Sequence, residues 1–401
     1  MTPATQQRRQ RGLWLTLFAV AFGTNVPTPL LLIYRDRLGM SATLLTVMFA
    51  VYAVGLVPAL LVAGPLSDRR GRRALVVPFV LASALASVVL LFASRSLVAL
   101  LIGRLLQGAV SGVVFSVGSA WLGELVGEAG VASRRAATAL SLGFALGPLS
   151  CGLLAQWAPA PTVLPYLVHL TLLALAVAGL LRVPETVLRR VGRGPLVNLG
   201  VPLAARPAFL TFVLPVALCV FTFPSVAVTI LPLGLRSAMP GSDLAITGVV
   251  AGLSLGVGVL VQPLVARLGI VRAAPLGAAC GVLGVGLGLL ATRAGAPALL
   301  IPAAVLLGAA YGLTLASGLT ATQWLAAVEG RGALIATFYA VTYLGFSAPV
   351  VLSASSAGTD FGGALGGLTL VATLVTLWLT FGPGRRLITE RGPMPVPTII
   401  H

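Results

Sequence analysis

Between two apolar runs, each long enough to cross a bilayer, lies Gly64-Pro65-Leu66-Ser67-Asp68-Arg69-Arg70-Gly71-Arg72-Arg73. Four arginines, one carboxylate and a turn glycine cannot lie in hydrocarbon, and Lys/Arg-rich short loops stay on the cytoplasmic side. The segment therefore fixes a hairpin between two membrane spans and, with it, the orientation of every other span. The rest of the chain supports the reading. It is 58% hydrophobic and 9% charged, against about 45–50% apolar and about 25% charged in soluble domains.

Hydropathy gives twelve spans, near 12–34, 43–63, 74–93, 97–122, 136–157, 162–181, 208–234, 244–266, 273–292, 298–322, 333–354 and 362–382, each close to the ~20 residues that cross a hydrocarbon core. The first run is followed by Tyr34-Arg35-Asp36-Arg37 and not by a small-residue cleavage site, so it stays as a helix. Charge tests the count. With the amino terminus inside, 20 of the 26 arginines fall in inner segments, five outside, and one, Arg104, within a span. That asymmetry obeys the positive-inside rule and predicts a multi-pass protein of the cell membrane, of the bacterial inner-membrane type, with both termini cytoplasmic.

The net charge is +17 and every basic residue is Arg. The arginines sit in short clusters between apolar spans, not interleaved with aromatics on one face, which argues against nucleic-acid binding. Cys151, Cys219 and Cys280 lie inside apolar runs, where a thiol behaves as a small hydrophobe. Neither a disulfide framework, a metal site nor a cofactor is implied, and no catalytic constellation points to an enzyme. A phosphate-binding loop of the Gly-x-x-x-x-Gly-Lys type needs a lysine that the chain lacks.

The longest polar interruption, 182–207, begins Arg182-Val183-Pro184-Glu185-Thr186 and divides six spans from six. The predicted organisation is an amino-terminal half over 1–181, a cytoplasmic linker over 182–207, a carboxy-terminal half over 208–382 and a tail over 383–401. Weak internal symmetry supports two parallel repeats. Asn25-Val26-Pro27-Thr28 recurs as Thr222-Phe223-Pro224-Ser225, Pro65-Leu66 as Pro263-Leu264, and Gly147-Pro148 as Ala348-Pro349, at offsets of 197 to 201.

Three motifs carry a resemblance. The pattern Gly64-x-Leu66-x-Asp68-Arg69-x-Gly71-Arg72-Arg73 after a second span is similar to the signature loop of the major facilitator superfamily of transporters. Arg104-x-x-Gln107-Gly108 resembles that superfamily's fourth-helix motif. Gly143-x-x-x-Gly147-Pro148-x-x-x-Gly152 resembles the antiporter motif of its drug-efflux branch, with Cys151 where a glycine usually stands. The resemblance implies an all-α fold of twelve transmembrane helices in two pseudo-symmetric halves, working as a monomer. It further implies that the hairpin around Asp68 gates the outward-facing state and that Arg104 borders the central cavity, with a role in proton transfer in proton-coupled members. The pattern in the fifth span implies efflux.

Physical chemistry narrows the site. An arginine near a bilayer centre costs at least about 2.5–3.5 kcal/mol, so Arg104 faces a protein interior or wet cavity unless it snorkels to the outer surface. Broken helices in matching halves mark transport sites. Pro27, Pro29, Pro224 and Pro232 break the first and seventh spans, and Asn25, Thr28, Thr222 and Ser225 are expected to line a midplane cavity with Tyr311, Gln323 and Trp324. None of the nine acids lies squarely within a span, so His169 and Asp36 are the candidate proton carriers. Mostly Leu, Val, Ala and Phe surround these positions, which suits export of apolar or cationic-amphiphilic small molecules by proton antiport. An importer or facilitator of a small metabolite is the alternative, and a transporter-like membrane sensor a third reading.

Overall fold

The computed structural model describes residues 3–187, 201–325, 331–356, 358 and 360–390. The linker segment 188–200, the tail 391–401, Glu329 and Arg189, Arg190, Arg193 and Arg391 lie outside the described residues. Twelve apolar helices follow one another: α1 Thr5–Leu38, α2 Ala42–Arg70, α3 Arg72–Leu90, α4 Leu97–Val126, α5 Arg134–Trp157, α6 Leu164–Leu180, α7 Leu203–Gly234, α8 Asp243–Val261, α9 Ile270–Ala294, α10 Pro297–Leu325, α11 Leu334–Ala354 and α12 Gly362–Phe381. Eleven meet the length of a span, and α6 is a 17-residue apolar helix. Two boundaries differ from the sequence reading. Helix α7 begins at Leu203, inside the segment assigned to the linker, because Pro207 falls in its first turn, where a missing N–H costs nothing. The assigned tail opens with a helical turn, Gly384–Thr389.

Local chemistry sets the ends of these helices. Ser41 Oγ accepts the Leu44 N–H at the start of α2, and Ser96 Oγ accepts the Ala99 N–H at the start of α4, each satisfying a donor the helix leaves open. Proline breaks the matching helices: α1 is interrupted at Val26, before Pro27, and α7 at Thr229, before Pro232. Packing then repeats between halves. Gly108 and Gly112 of α4 seat on the α2 backbone at Tyr52 and Leu56, as Gly308 and Gly312 of α10 seat on the α8 backbone at Ser254 and Gly258, an offset of 200. Such small-residue contacts hold helices together where lipid supplies no hydrophobic drive.

A belt of exposed apolar side chains, among them Leu85, Leu175, Leu283, Leu374 and Phe381, covers the outer helices. No water-soluble surface presents so continuous an apolar face. Polar side chains turn inward instead: Ser87, Arg104, Ser111, His169, Ser254 and Ser317 are almost fully buried.

Candidate substrate cavity and its gates

The two halves touch at one end of the bundle and part at the other. At the end remote from the arginine hairpin, Gly152 of α5 packs on Gly248 of α8: a Cβ at Gly152 would lie 2.5 Å from the Leu244 carbonyl oxygen and 2.8 Å from Gly248 Cα. Gln156 Nε2 donates to the Gly241 carbonyl at 2.8 Å, and its Oε1 accepts the Leu244 N–H at 3.0 Å. Thr46 and Ser353 hydroxyls meet at 2.7 Å between α2 and α11. Ions complete the seal. Arg236 donates to both carboxylate oxygens of Asp36 at 2.6 Å and to Asp243 at 2.7 Å, and these carboxylates hold its guanidinium pKa above the ordinary value.

From that seal a cavity of about 710 Å³ runs toward the arginine-rich end, lined by Leu60, Gly64, Pro65, Asp68 and Phe144 on one side and by Val259, Gln262, Tyr311, Ile335 and Tyr339 on the other. Its blind head, about 70 Å³, is bounded by Asn25, Thr28, Phe49, Tyr52, Ser225, Phe221, Tyr343 and Phe346. Aromatic rings dominate there. Phe221 stacks on Tyr343 at 4.7 Å and on Phe346 at 5.1 Å between centroids, and Phe49 packs on Phe346 at 5.1 Å.

Asn25, Thr28, Ser225 and Tyr311 line this space. Thr222 does not. Its hydroxyl turns back to the Leu218 carbonyl at 2.7 Å, and its backbone packs against Gly345 of α11. Gln323 is exposed and Trp324 half-buried near the end of α10.

Arg104 is neither snorkelling nor on the cavity wall. Its guanidinium lies one layer behind, 5.0 Å from the Tyr52 ring centre and 5.8 Å from that of Phe49. It donates to the carbonyls of Met48 at 3.3 Å, Thr24 at 3.2 Å and Phe49 at 3.0 Å, and to Gln107 Oε1 at 3.1 Å. Gln107 in turn donates to the Gly23 carbonyl at 2.9 Å, which Pro27, lacking an N–H, leaves without its usual helical partner. Arginine and glutamine thus tie α1, α2 and α4 into one block.

His169 also departs from expectation. Its ring packs on Gly23 and Phe22, with Nδ1 2.7 Å from the Ser87 hydroxyl, so it binds α6 to α1 and α3 behind the cavity wall. Asp36 sits in the ionic seal. The helix α5 glycines have structural tasks: Gly143 and Gly147 admit α1 at Phe18 and Phe22, while the Pro148 carbonyl and Gly152 meet α8.

Against the hairpin stands a carboxylate from beyond the sixth span that sequence reasoning passed over. Gly71 has φ +98° and its Cα faces the Glu185 carboxylate. Glu185 accepts the Arg72 and Arg73 N–H groups, both at 2.9 Å, capping α3. Partial burial pushes the Glu185 carboxyl up, but backbone N–H groups of Val187, Arg72, Arg73 and Thr186 outweigh it and hold the pKa below the ordinary value. Arg72 pairs with Asp68 at 2.8 Å and Glu124 at 3.0 Å, and Arg73 donates to the Val183 carbonyl at 3.1 Å. The sequence signal was an acid following the sixth span on the same side as the basic hairpin. Among the described residues the second half has no such cluster: Gly269 repeats the positive φ, but Ala266 stands where Asp68 would be.

The profile of the Major Facilitator Superfamily matches residues 13–349, and the chain belongs to this family of membrane transporters. No curated protein matches it. Among solved structures, the peptide transporter POT in complex with sulfate superimposes with a TM-score of 0.79 at 14% identity, over 96% of this chain and 95% of that one. A mutant of the nucleoside transporter NupG gives 0.73 at 13% identity, over 97% and 100%. At such identities the likeness is one of fold.

Proposed function

We propose that this chain exports small apolar or amphiphilic compounds by alternating access, its two halves, 1–181 and 208–382, rocking about a midplane cavity in the cell membrane with the arginine-rich end in the cytoplasm. The observation that carries the reading is the cavity itself: apolar and aromatic, open at the arginine-rich end, closed at the other. A sugar-like ligand needs several convergent polar groups, whereas lining hydroxyls here such as Ser116, Ser141 and Ser225 are turned to carbonyls of their own helices. The resemblance of the fifth span to the efflux branch supports outward transport, and the proton gradient is the proposed drive.

A second reading, a facilitator or importer of a small metabolite, is favoured by the positions of His169 and Asp36, since neither touches the cavity. Dye accumulation in cells with and without the protein separates the two. Export predicts lower intracellular dye in expressing cells and a rise when an uncoupler collapses the pH gradient. Net export untouched by the uncoupler would exclude proton antiport, and dye entry accelerated by expression would establish the facilitator.

A further inference from the structure

The head of the cavity is neutral at its surface and positively charged just behind it. Among the described residues, Asp68 is the only charged side chain that lines either part of the cavity, and it is paired with Arg72 near the open end. Arg104 lies behind Tyr52 and Phe49, two walls of the head. Its partners are three backbone carbonyls and an amide oxygen; none is a carboxylate. Carbonyl dipoles satisfy its N–H groups but cancel no net charge, and their fields decay faster with distance than that of an ion. The second half supplies nothing equivalent, because the positions 200 residues on are Ala304 and Leu307.

A second, independent feature points the same way. Thr28 is 5% exposed and borders the head, and its buried hydroxyl has no hydrogen-bond partner among the described residues. A buried hydroxyl left unpaired is costly, and this one shares the lining of the head with Asn25, ready to donate to an acceptor group on a ligand. Around it the rings of Phe49, Phe221, Tyr343 and Phe346 offer flat faces.

We propose that the head selects planar aromatic compounds bearing an anionic group, and that Arg104 is the positioning residue that sets this charge preference through the Tyr52 and Phe49 rings. The proposal rests on the transporter reading and names its substrate class. Across about 10 Å at an effective dielectric of about 20, one buried unit charge changes the affinity for a charged ligand on the order of tenfold. An organic cation is penalised by the same factor.

The test is equilibrium dialysis of the purified full-length protein with three naphthalene probes: 2-naphthoate, 2-naphthamide and 2-naphthylmethylammonium. Measurements are made in 0.5 M salt, where the surface arginines are screened within a few ångströms and a buried charge is not. In the wild type the carboxylate should bind about tenfold tighter than the amide and the ammonium about tenfold weaker. Gln107→Glu places a carboxylate against Arg104, and Arg104→Gln removes the charge. In both, the carboxylate-to-ammonium affinity ratio should collapse toward one, a ratio that cancels any general loss of folded protein. Equal or tighter ammonium binding in the wild type, or a ratio unchanged in whichever variant binds the amide, overturns the charge selection while leaving the aromatic cavity intact. Failure of all three probes to bind the wild type overturns the cavity reading as well.

Discussion

Replacing Asp36 by Asn tests whether the ionic seal holds the two halves together. Asp36 ends α1 in one half and Arg236 follows α7 in the other, so their pair exists only while this end is closed. The substitution removes the bidentate charge interaction but leaves Arg236 its second partner, Asp243, so no buried cation is orphaned. The Asp36 side chain is 53% exposed and that of Arg236 is 26% exposed, so the appropriate scale is that of solvated pairs, about 0.2–1 kcal/mol. Two parallel bonds put it in the upper part of that range, about 0.5–1 kcal/mol. Since about 1.4 kcal/mol is tenfold, the state open at this end should become about two- to fivefold more populated. A cysteine in place of Val228, which borders the cavity head, reports that population in a background lacking Cys151, Cys219 and Cys280. A membrane-impermeant maleimide added outside intact cells should label it two- to fivefold faster in Asp36→Asn. Raising salt from about 0.1 to 1 M shortens the screening length from about 10 to about 3 Å, so it should speed labelling in the parent and change the variant less. Unchanged or slower labelling, or identical salt responses, would show that the pair does not contribute to closure.

Asp68→Asn and Gly71→Val should each abolish dye transport while membrane insertion measured by protease protection stays normal; the valine Cβ takes the space of the Glu185 carboxylate and disfavours the positive φ. Glu185→Ala should lower stability by about 1 kcal/mol, the scale of a lost helix cap, read from the melting midpoint. Because the folded pKa of Glu185 is depressed, its contribution is present above the ordinary value of 4.5 and is lost as pH falls through the folded pKa, so the wild type and Glu185→Gln should converge in melting temperature below pH 4.5. Arg104→Leu should remove transport and retain the fold, with Arg104→Lys failing to restore transport because an ammonium cannot span the Met48, Phe49 and Thr24 carbonyls together; wild-type rates in the leucine variant would exclude the role.

Spans and family could be read from residue order because bilayer thickness and motif spacing act on each segment alone. Contacts across helices could not. Hydropathy ranks Thr222 and Ser225 alike, and both hydroxyls bond carbonyls of their own helix, yet only Ser225 borders the cavity, a difference that depends on how neighbouring helices pack around α7. The apolar surroundings of Arg104 and His169 correctly put both in the protein interior, yet depth behind a wall depends on which neighbour intervenes, Tyr52 for one and α1 for the other. Asp36 looked like a free outer acid because its partner lies 200 residues away. Glu185 looked like a linker acid for the same reason, its partners being 112 and 113 residues earlier.

Where α5 crosses α8, Gly152 meets Gly248 and backbone packs directly on backbone. In the proposed rocking motion a crossing of that kind would behave as a plain bearing: one half would turn on the other with the polar bonds around the rim, more than friction at the pivot, setting the barrier to exchange. The same bareness makes the joint intolerant. A single methyl added at Gly152 or Gly248 would act as a shim, tilting one half against the other and displacing the entire cavity from a point that never touches the cargo.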